Sequence, residues 1–188
     1  RRYRYQWRML ELALERTVPE YGRYELASSP VMTERRQAHE LMNATGVLTL
    51  MYLSPTPELE QRLVPVRIPI DKNLGGYCIF LLRRETLPRL AAVADAAGLR
   101  AFTVGLGLDW VDVGILRAAG FKVVTGSNYD GLFDRLAAGR FDLFPRGAVE
   151  ILDEYEQRRG ALPDLVSEPN LIFHYPLPMY FWFAKTPE

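Results

Sequence analysis

The stretch Val123–Glu150, VVTGSNYDGLFDRLAAGRFDLFPRGAVE, constrains the fold most, because three element changes with clear punctuation fall inside it. The β-branched run Val123, Val124, Thr125 stops at Gly126, and Ser127 or Asn128 can then cap a helix whose apolar positions are Leu132, Phe133, Leu136 and Ala137. Gly139 ends that helix. A second apolar run, Phe141 to Phe144, follows until Pro145 and Gly147 break it ahead of another helix near Ala148. Strand, helix, strand, helix in so short a passage predicts a βα repeat around a parallel sheet.

The rest of the chain continues the alternation. RRYRYQW leads into Met9, Leu10, Leu12, Ala13 and Leu14, a helix with a broad apolar face that Pro19 and Gly22 end. Its Arg and Tyr cluster reads as a solvated helix start in preference to a basic, aromatic nucleic-acid arm. Tyr24 to Ala27 follows as a short strand, and Ser28, Ser29 and Pro30 open a second helix to about Ala44. Val47 to Leu53 is a continuous apolar strand, expected to be buried on both faces. Thr56, Pro57 and Glu58 form a helix start with Pro at the first helical position and acid in the first turn. From Asn73, NLGGYCIFLLRRE gives a long strand after a Gly pair. An Ala-rich helix over 86–98, a strand from Ala101 to Leu106, a turn over Gly107–Trp110 and a helix to Gly120 come next. Leu171–Tyr175 and Met179–Ala184 are apolar strands split by Pro176 and Pro178.

At 188 residues the chain can be one domain or two small lobes. Lys plus Arg equals Asp plus Glu at 23 each, so no global field favours nucleic acid or an anionic membrane, and no nucleic-acid partner is expected. The single Cys cannot close an internal disulfide. No apolar run approaches the length of a membrane span.

A helix ending in LAAGR, followed at once by FD and a short apolar strand, resembles the second lobe of type II periplasmic binding proteins, in extracellular solute-binding family 3. Ser54 and Thr56 are similar to that family's first-lobe motif, in which two hydroxyls and an Arg hold a ligand carboxylate. The resemblance implies an α/β, two-lobe fold with mostly parallel sheets flanked by helices. Lobe one would be 1–76 plus 177–188, and lobe two 77–176 with both crossover strands. It further implies a monomeric, periplasmic or secreted solute-binding protein of an ABC-type uptake system. Such a protein binds a small polar or anionic ligand in the interlobe cleft without catalysis or cofactor, and has a membrane permease as its partner. The alternative is a ligand-sensing or regulatory domain of the same fold, detached from a larger signalling protein. Two positions depart from the family. Leu59 stands where the Arg is expected, with Arg62 one helical turn further on, and Gly147 stands where amino-acid binders carry the Asp that receives the ligand ammonium. The family's strand before the first helix and its helices after the last strand are not legible in this sequence.

The expected ligand-contacting residues are Ser54 and Thr56 in the first lobe and Asp109, Trp110, Ser127, Asn128, Tyr129 and Arg146 in the second. Each lies in a turn that follows an apolar strand, where helix N-termini and the carboxyl ends of parallel strands favour ligands. Taken singly, each also has a plain reading as a helix cap or core aromatic. Arg146 suits an anionic ligand, or an ion pair with a residue such as Glu58. Asp109 and Asp112 could bind a cation or act as a base, although the helix dipole alone explains acids at a helix start. Gly105, Leu106 and Gly107 do not complete a dinucleotide fingerprint, because Trp110 holds the third glycine position. Cys78, inside an apolar strand, reads as a small hydrophobe and not as a nucleophile served by His39 or His174. No convergent acid and base pair is legible, so no enzyme is expected, and no metal-ligand cluster appears.

Overall fold

The punctuation along the sequence resolves into two separate lobes. A computed structural model of the chain describes residues 4–185, so the first three residues of RRYRYQW lie outside the described residues. One lobe runs to Asn73 and resumes at Pro178, and the other is Leu74–Leu177. The chain forms α1 (Arg4–Tyr21), α2 (Glu34–Met42), β1 (Leu50–Leu53), α3 (Pro57–Arg62) and β2 (Leu63–Val66) in the first lobe. The second lobe contains β3 (Tyr77–Arg83), α4 (Leu87–Ala91), α5 (Ala96–Leu99), β4 (Thr103–Gly107), α6 (Asp112–Ala118), β5 (Lys122–Gly126) and α7 (Tyr129–Ala137). It continues with β6 (Leu143–Gly147), α8 (Ile151–Arg158), β7 (Leu165–Ser167) and β8 (Phe173–His174), and β9 (Tyr180–Ala184) returns to the first lobe.

In the first lobe β9 is the middle strand of the order β1-β9-β2, antiparallel to both neighbours. Its Trp182 is fully buried with Leu41, Met51, Leu53, Leu59 and Leu63, and the indole Nε1–H donates to the Leu53 carbonyl at 2.9 Å. The strand expected from Val47 is shorter than its apolar run. Only Leu50–Leu53 pairs, and burial alternates along it, because the residues that cover this sheet lie on one face. β2 was not legible: Pro65 argues against a strand, and it is tolerated because β2 is an edge. Pro19 lies inside α1 instead of ending it, close enough to the C-terminus to forfeit little. Residues 22–33 form no helix or strand, so Tyr24–Ala27 is not a strand. Thr33, not the Ser28–Pro30 segment, caps α2, by accepting from the Arg36 N–H at 3.3 Å.

The second lobe is a sheet of order β5-β4-β6-β3-β7 with β8 also paired to β3. Parallel pairing is confined to β5, β4 and β6, the strands joined through helices, while β6, β7 and β8 all lie antiparallel to β3. β3 is packed on both faces: Phe80 and Leu82 join a cluster with Val104, Leu106, Leu116 and Phe121, and Leu81 joins Leu132, Phe133, Leu136, Phe141 and Phe144 on the other side. The helix expected over 86–98 is broken, because Asp95 accepts from the Gly98 N–H at 2.8 Å and restarts the chain as α5. β6 continues through Pro145 to Gly147, and α8 begins at Ile151, later than Ala148. Pairing of β6 with β4 is confined to Val104 and Leu143, ahead of Pro145, so the missing N–H interrupts no parallel ladder.

Candidate functional site

The parallel strands β4 and β5 stay in register to their last residues, Leu106 opposite Thr125 and Gly107 opposite Gly126, and the Leu108 N–H then donates to the Gly126 carbonyl at 2.9 Å. Two of the expected turns, Gly107–Trp110 and Ser127–Tyr129, are therefore side by side at the carboxyl ends of the strands. Asn128 caps α7, its side-chain oxygen accepting from the Gly131 N–H at 3.0 Å. Asp109, Ser127 and Asn128 are exposed.

Trp110 turns back over β4. A Cβ on Gly107 would fall 2.4 Å from its indole Cε2, so only glycine admits the ring there. Gly105 has the same relation to Phe141, at 2.2 Å, so both glycines of the abandoned dinucleotide pattern serve ring packing. Trp110 stacks on Phe144 at a centroid distance of 6.2 Å and lies between both hydrophobic clusters of the lobe.

Arg146 comes in beside it from β6, buried at 3% exposure. Its guanidinium carbon lies 5.0 Å from the Trp110 ring centre, 5.1 Å from Phe144 and 5.7 Å from Tyr129. Arg146 Nε donates to Glu154 Oε2 at 2.5 Å, and Nη2 donates to Glu154 Oε1 at 2.7 Å and Glu150 Oε2 at 2.8 Å. The Tyr129 hydroxyl donates to Glu154 as well. Burial works against the Arg146 charge, but Glu150 and Glu154 outweigh it and hold the pKa above its ordinary value. The structure thus gathers Trp110, Tyr129 and Arg146 into one cluster, with Asp109, Ser127 and Asn128 on the turns around it.

Asp112 at the start of α6 accepts from the Tyr175 hydroxyl, and burial pushes its carboxyl above the usual carboxylate range. Burial likewise pushes the Cys78 thiol up to about 11, which suits a protonated core group rather than a thiolate nucleophile.

In the first lobe, Ser54 is buried and its hydroxyl donates to Met179 Sδ at 2.9 Å. Thr56 caps α3 by accepting from the Leu59 N–H at 3.2 Å. Leu59, at the expected Arg position, is a core residue at 4% exposure, whereas Arg62 is exposed at the end of α3.

Glu154 and Tyr175 are the members that sequence reasoning missed. Arg146, Glu150 and Glu154 recur at a spacing of four, but Arg146 lies in a strand and Glu154 in the following helix, so the spacing does not announce their contact. Tyr175 gave no signal beyond an aromatic beside Pro176. Among the described residues no group of three or more His, Cys, Asp or Glu is placed to hold a metal ion, and no helix is long and apolar enough to cross a membrane.

No protein-family model matches the chain, and no curated protein matches its sequence. Solved structures do match. An ancestral arginine-binding protein bound to arginine is 16% identical over 94% of this chain and 73% of its own, with a TM-score of 0.62. The periplasmic VFT2 domain of BvgS from Bordetella pertussis is 19% identical over 82% of this chain and 62% of its own, with a TM-score of 0.56. A histidine kinase sensor domain with similarity to periplasmic binding proteins is 17% identical over 81% and 62%, also at 0.56. At such identities the likeness is one of fold, and that fold is the type II periplasmic-binding-protein fold.

Proposed function

We propose that this chain, having a type II periplasmic-binding-protein fold, captures a small polar ligand at the carboxyl side of its second-lobe sheet and performs no chemistry on it. The observation that carries this reading is the adjacency of the Gly107–Trp110 and Ser127–Tyr129 turns, held by the bond from Leu108 N–H to the Gly126 carbonyl. Adjacent turns at the ends of parallel strands present backbone donors and short polar side chains to the same side of a sheet. Asp109, Ser127 and Asn128 supply the exposed polar groups, with Trp110, Tyr129 and Arg146 as the floor beneath them. The setting is periplasmic or secreted and the chain monomeric, with a membrane permease of an ABC-type system as the onward partner.

The test is a thermal-shift screen against amino acids, dicarboxylates, sugars and polyamines, where a ligand at a hundredfold excess over its dissociation constant adds about 2.7 kcal/mol. With a ligand in hand, Asp109→Asn and Ser127→Ala, both exposed and outside the core, are expected to weaken binding at least about tenfold, or about 1.4 kcal/mol. Affinity within about twofold for both variants places the ligand elsewhere.

A second reading, a ligand-sensing domain of a signalling protein, is favoured by the sensor domains among the structural matches. The genomic reading frame separates the two: continuation into a kinase, cyclase or DNA-binding segment supports the sensor, and an isolated frame beside permease genes supports the transporter component.

A further inference from the structure

The connections at the two ends of the second-lobe sheet carry opposite charge. Beyond the carboxyl ends of β4, β5 and β6, the segments 107–112, 126–130 and 147–153 hold five Asp or Glu and no Lys or Arg. Arg146 next to them is matched by Glu150 and Glu154. At the other end, the segments 83–102, 117–122, 138–142 and 159–164 hold eight Lys or Arg against four Asp or Glu.

These four segments lie in one row. Lys122 is opposite Thr103 where β5 and β4 begin, the Asp142 N–H donates to the Thr103 carbonyl at 3.0 Å, and the Arg84 N–H donates to the Asp164 carbonyl at 2.8 Å. Arg100 Nε donates to the Ala119 carbonyl at 2.8 Å. Three of the cations are matched locally, Arg83 by Glu85, Arg89 by Asp142 and Arg159 by Glu156. Arg84, Arg100, Arg117, Lys122 and Arg140 are exposed and pair with no carboxylate among the described residues.

Helix dipoles account for acids at helix starts and for Arg117 in the last turn of α6. They do not account for Arg84, which follows β3, or Lys122, which opens β5. The whole chain is neutral, so the positive field is local to this end. Of the exposed large apolar side chains among the described residues, none falls on these four segments. A protein partner is met through an apolar centre with aromatic anchors. A broad basic face without one suits a diffuse anionic surface, such as bilayer headgroups.

We propose that this end of the second lobe docks on an anionic bilayer through Arg84, Arg100, Arg117, Lys122 and Arg140, with the turns at the opposite end facing away from the membrane. This docking is independent of ligand capture and operates with the site empty.

Co-sedimentation of the whole chain with vesicles of equimolar phosphatidylcholine and phosphatidylglycerol, against phosphatidylcholine alone, tests it. Binding is expected to the anionic vesicles only, and to be lost between ~0.1 M and ~1 M salt, as the screening length falls from about 10 Å to about 3 Å. Arg84→Gln, Lys122→Gln and Arg140→Gln together are expected to weaken it about a hundredfold, at about fivefold per cation. The same loss of charge at the exposed first-lobe residues Arg16, Arg23 and Arg35 is expected to change it by no more than about twofold. Amide exchange on vesicles is expected to slow over 84–89, 117–122 and 138–142 and to stay unchanged over 107–112 and 126–130, a readout that needs no variant to fold. Equal binding to phosphatidylcholine alone, equal weakening by the first-lobe variant, or protection of 107–112 and 126–130 overturns the proposal. Capture of the chain by duplex DNA without binding to either vesicle assigns the face to another polyanion and overturns it as well.

Discussion

Arg146 grips Glu154 through two nitrogens, Nε and Nη2, with the side chains only 4% and 8% exposed. A planar guanidinium suits this two-oxygen contact, and the second bond from Nη2 brings in Glu150. The cation that the sequence offered to an anionic ligand is thus shared between two carboxylates of its own lobe. It fastens α8 and the segment before it to β6 and packs against Trp110 and Tyr129, which makes Arg146 a positioning residue for the proposed site.

Removing one partner of a buried ion pair leaves the other charge unsolvated. Arg146→Ala is therefore expected to destabilise the second lobe by about 3–5 kcal/mol, read from urea unfolding. Arg146→Met combined with Glu154→Leu should recover much of that loss, since apolar groups of similar volume replace such pairs at little cost. A loss below about 1 kcal/mol for Arg146→Ala, the range of an exposed pair, would contradict the burial of this charge.

Gly107→Ala forces a methyl into the Trp110 indole, 2.4 Å from Cε2. We expect a loss of about 1–3 kcal/mol from overpacking. Trp110→Ala in the same chain should remove the clash, so that the double variant is less destabilised than the sum of the single ones. Additive effects in thermal unfolding would show that the ring does not need the glycine.

Asp142 ties β4 to β6. Its carboxylate accepts from the Thr103 N–H at 2.8 Å and from Thr103 Oγ1 at 2.7 Å, with Arg89 at 3.3 Å. Burial pushes its pKa up, but the Thr103 donors and Arg89 outweigh burial and the net shift is downward. A depressed folded-state value contributes stability above the unfolded ~3.9, which is lost as pH falls through the folded value. The melting-temperature advantage of the wild type over Asp142→Asn should be full at neutral pH and shrink below pH ~4. An advantage that stays constant down to pH ~2 would show that Asp142 acts by shape and not by charge.

Leu59 and Gly147 stand where the resemblance to amino-acid binders implies an Arg and an Asp. Titration calorimetry with the standard amino acids is expected to give no micromolar binding that Thr56→Ala abolishes. Thr56→Ala itself should cost about 0.5–2 kcal/mol through the lost α3 cap. Leu59→Arg, which buries a guanidinium in the first-lobe core, should destabilise the chain and not restore binding.

The passage from Val123 to Phe144 was legible because each signal in it is local: a β-branched run, an Asn cap, an apolar helix face, a Gly stop. The two-lobe α/β fold followed from the order of such signals and from the resemblance they carry. What escaped depends on partners distant in sequence. β2 exists because β9 pairs with it, and Pro65 hid it. β7 is only Leu165–Ser167, too short for any periodicity, and is held by β3. At the candidate site, caps such as Asn128 and Thr56 were readable, but the engagement of Arg146 was not. It required α8 to fold back over β6, which spacing alone does not announce.

The placement of β9 has a consequence for how the chain comes off the ribosome. β1 and β2 do not pair with each other; each pairs with a strand that is translated more than a hundred residues later, and the fully buried Trp182 sits on that strand. The second lobe, by contrast, is whole once Leu177 has emerged. During synthesis the residues up to Asn73 must therefore wait, apolar face unsatisfied, while the lobe encoded after them closes first. Chaperone demand should concentrate on this early segment.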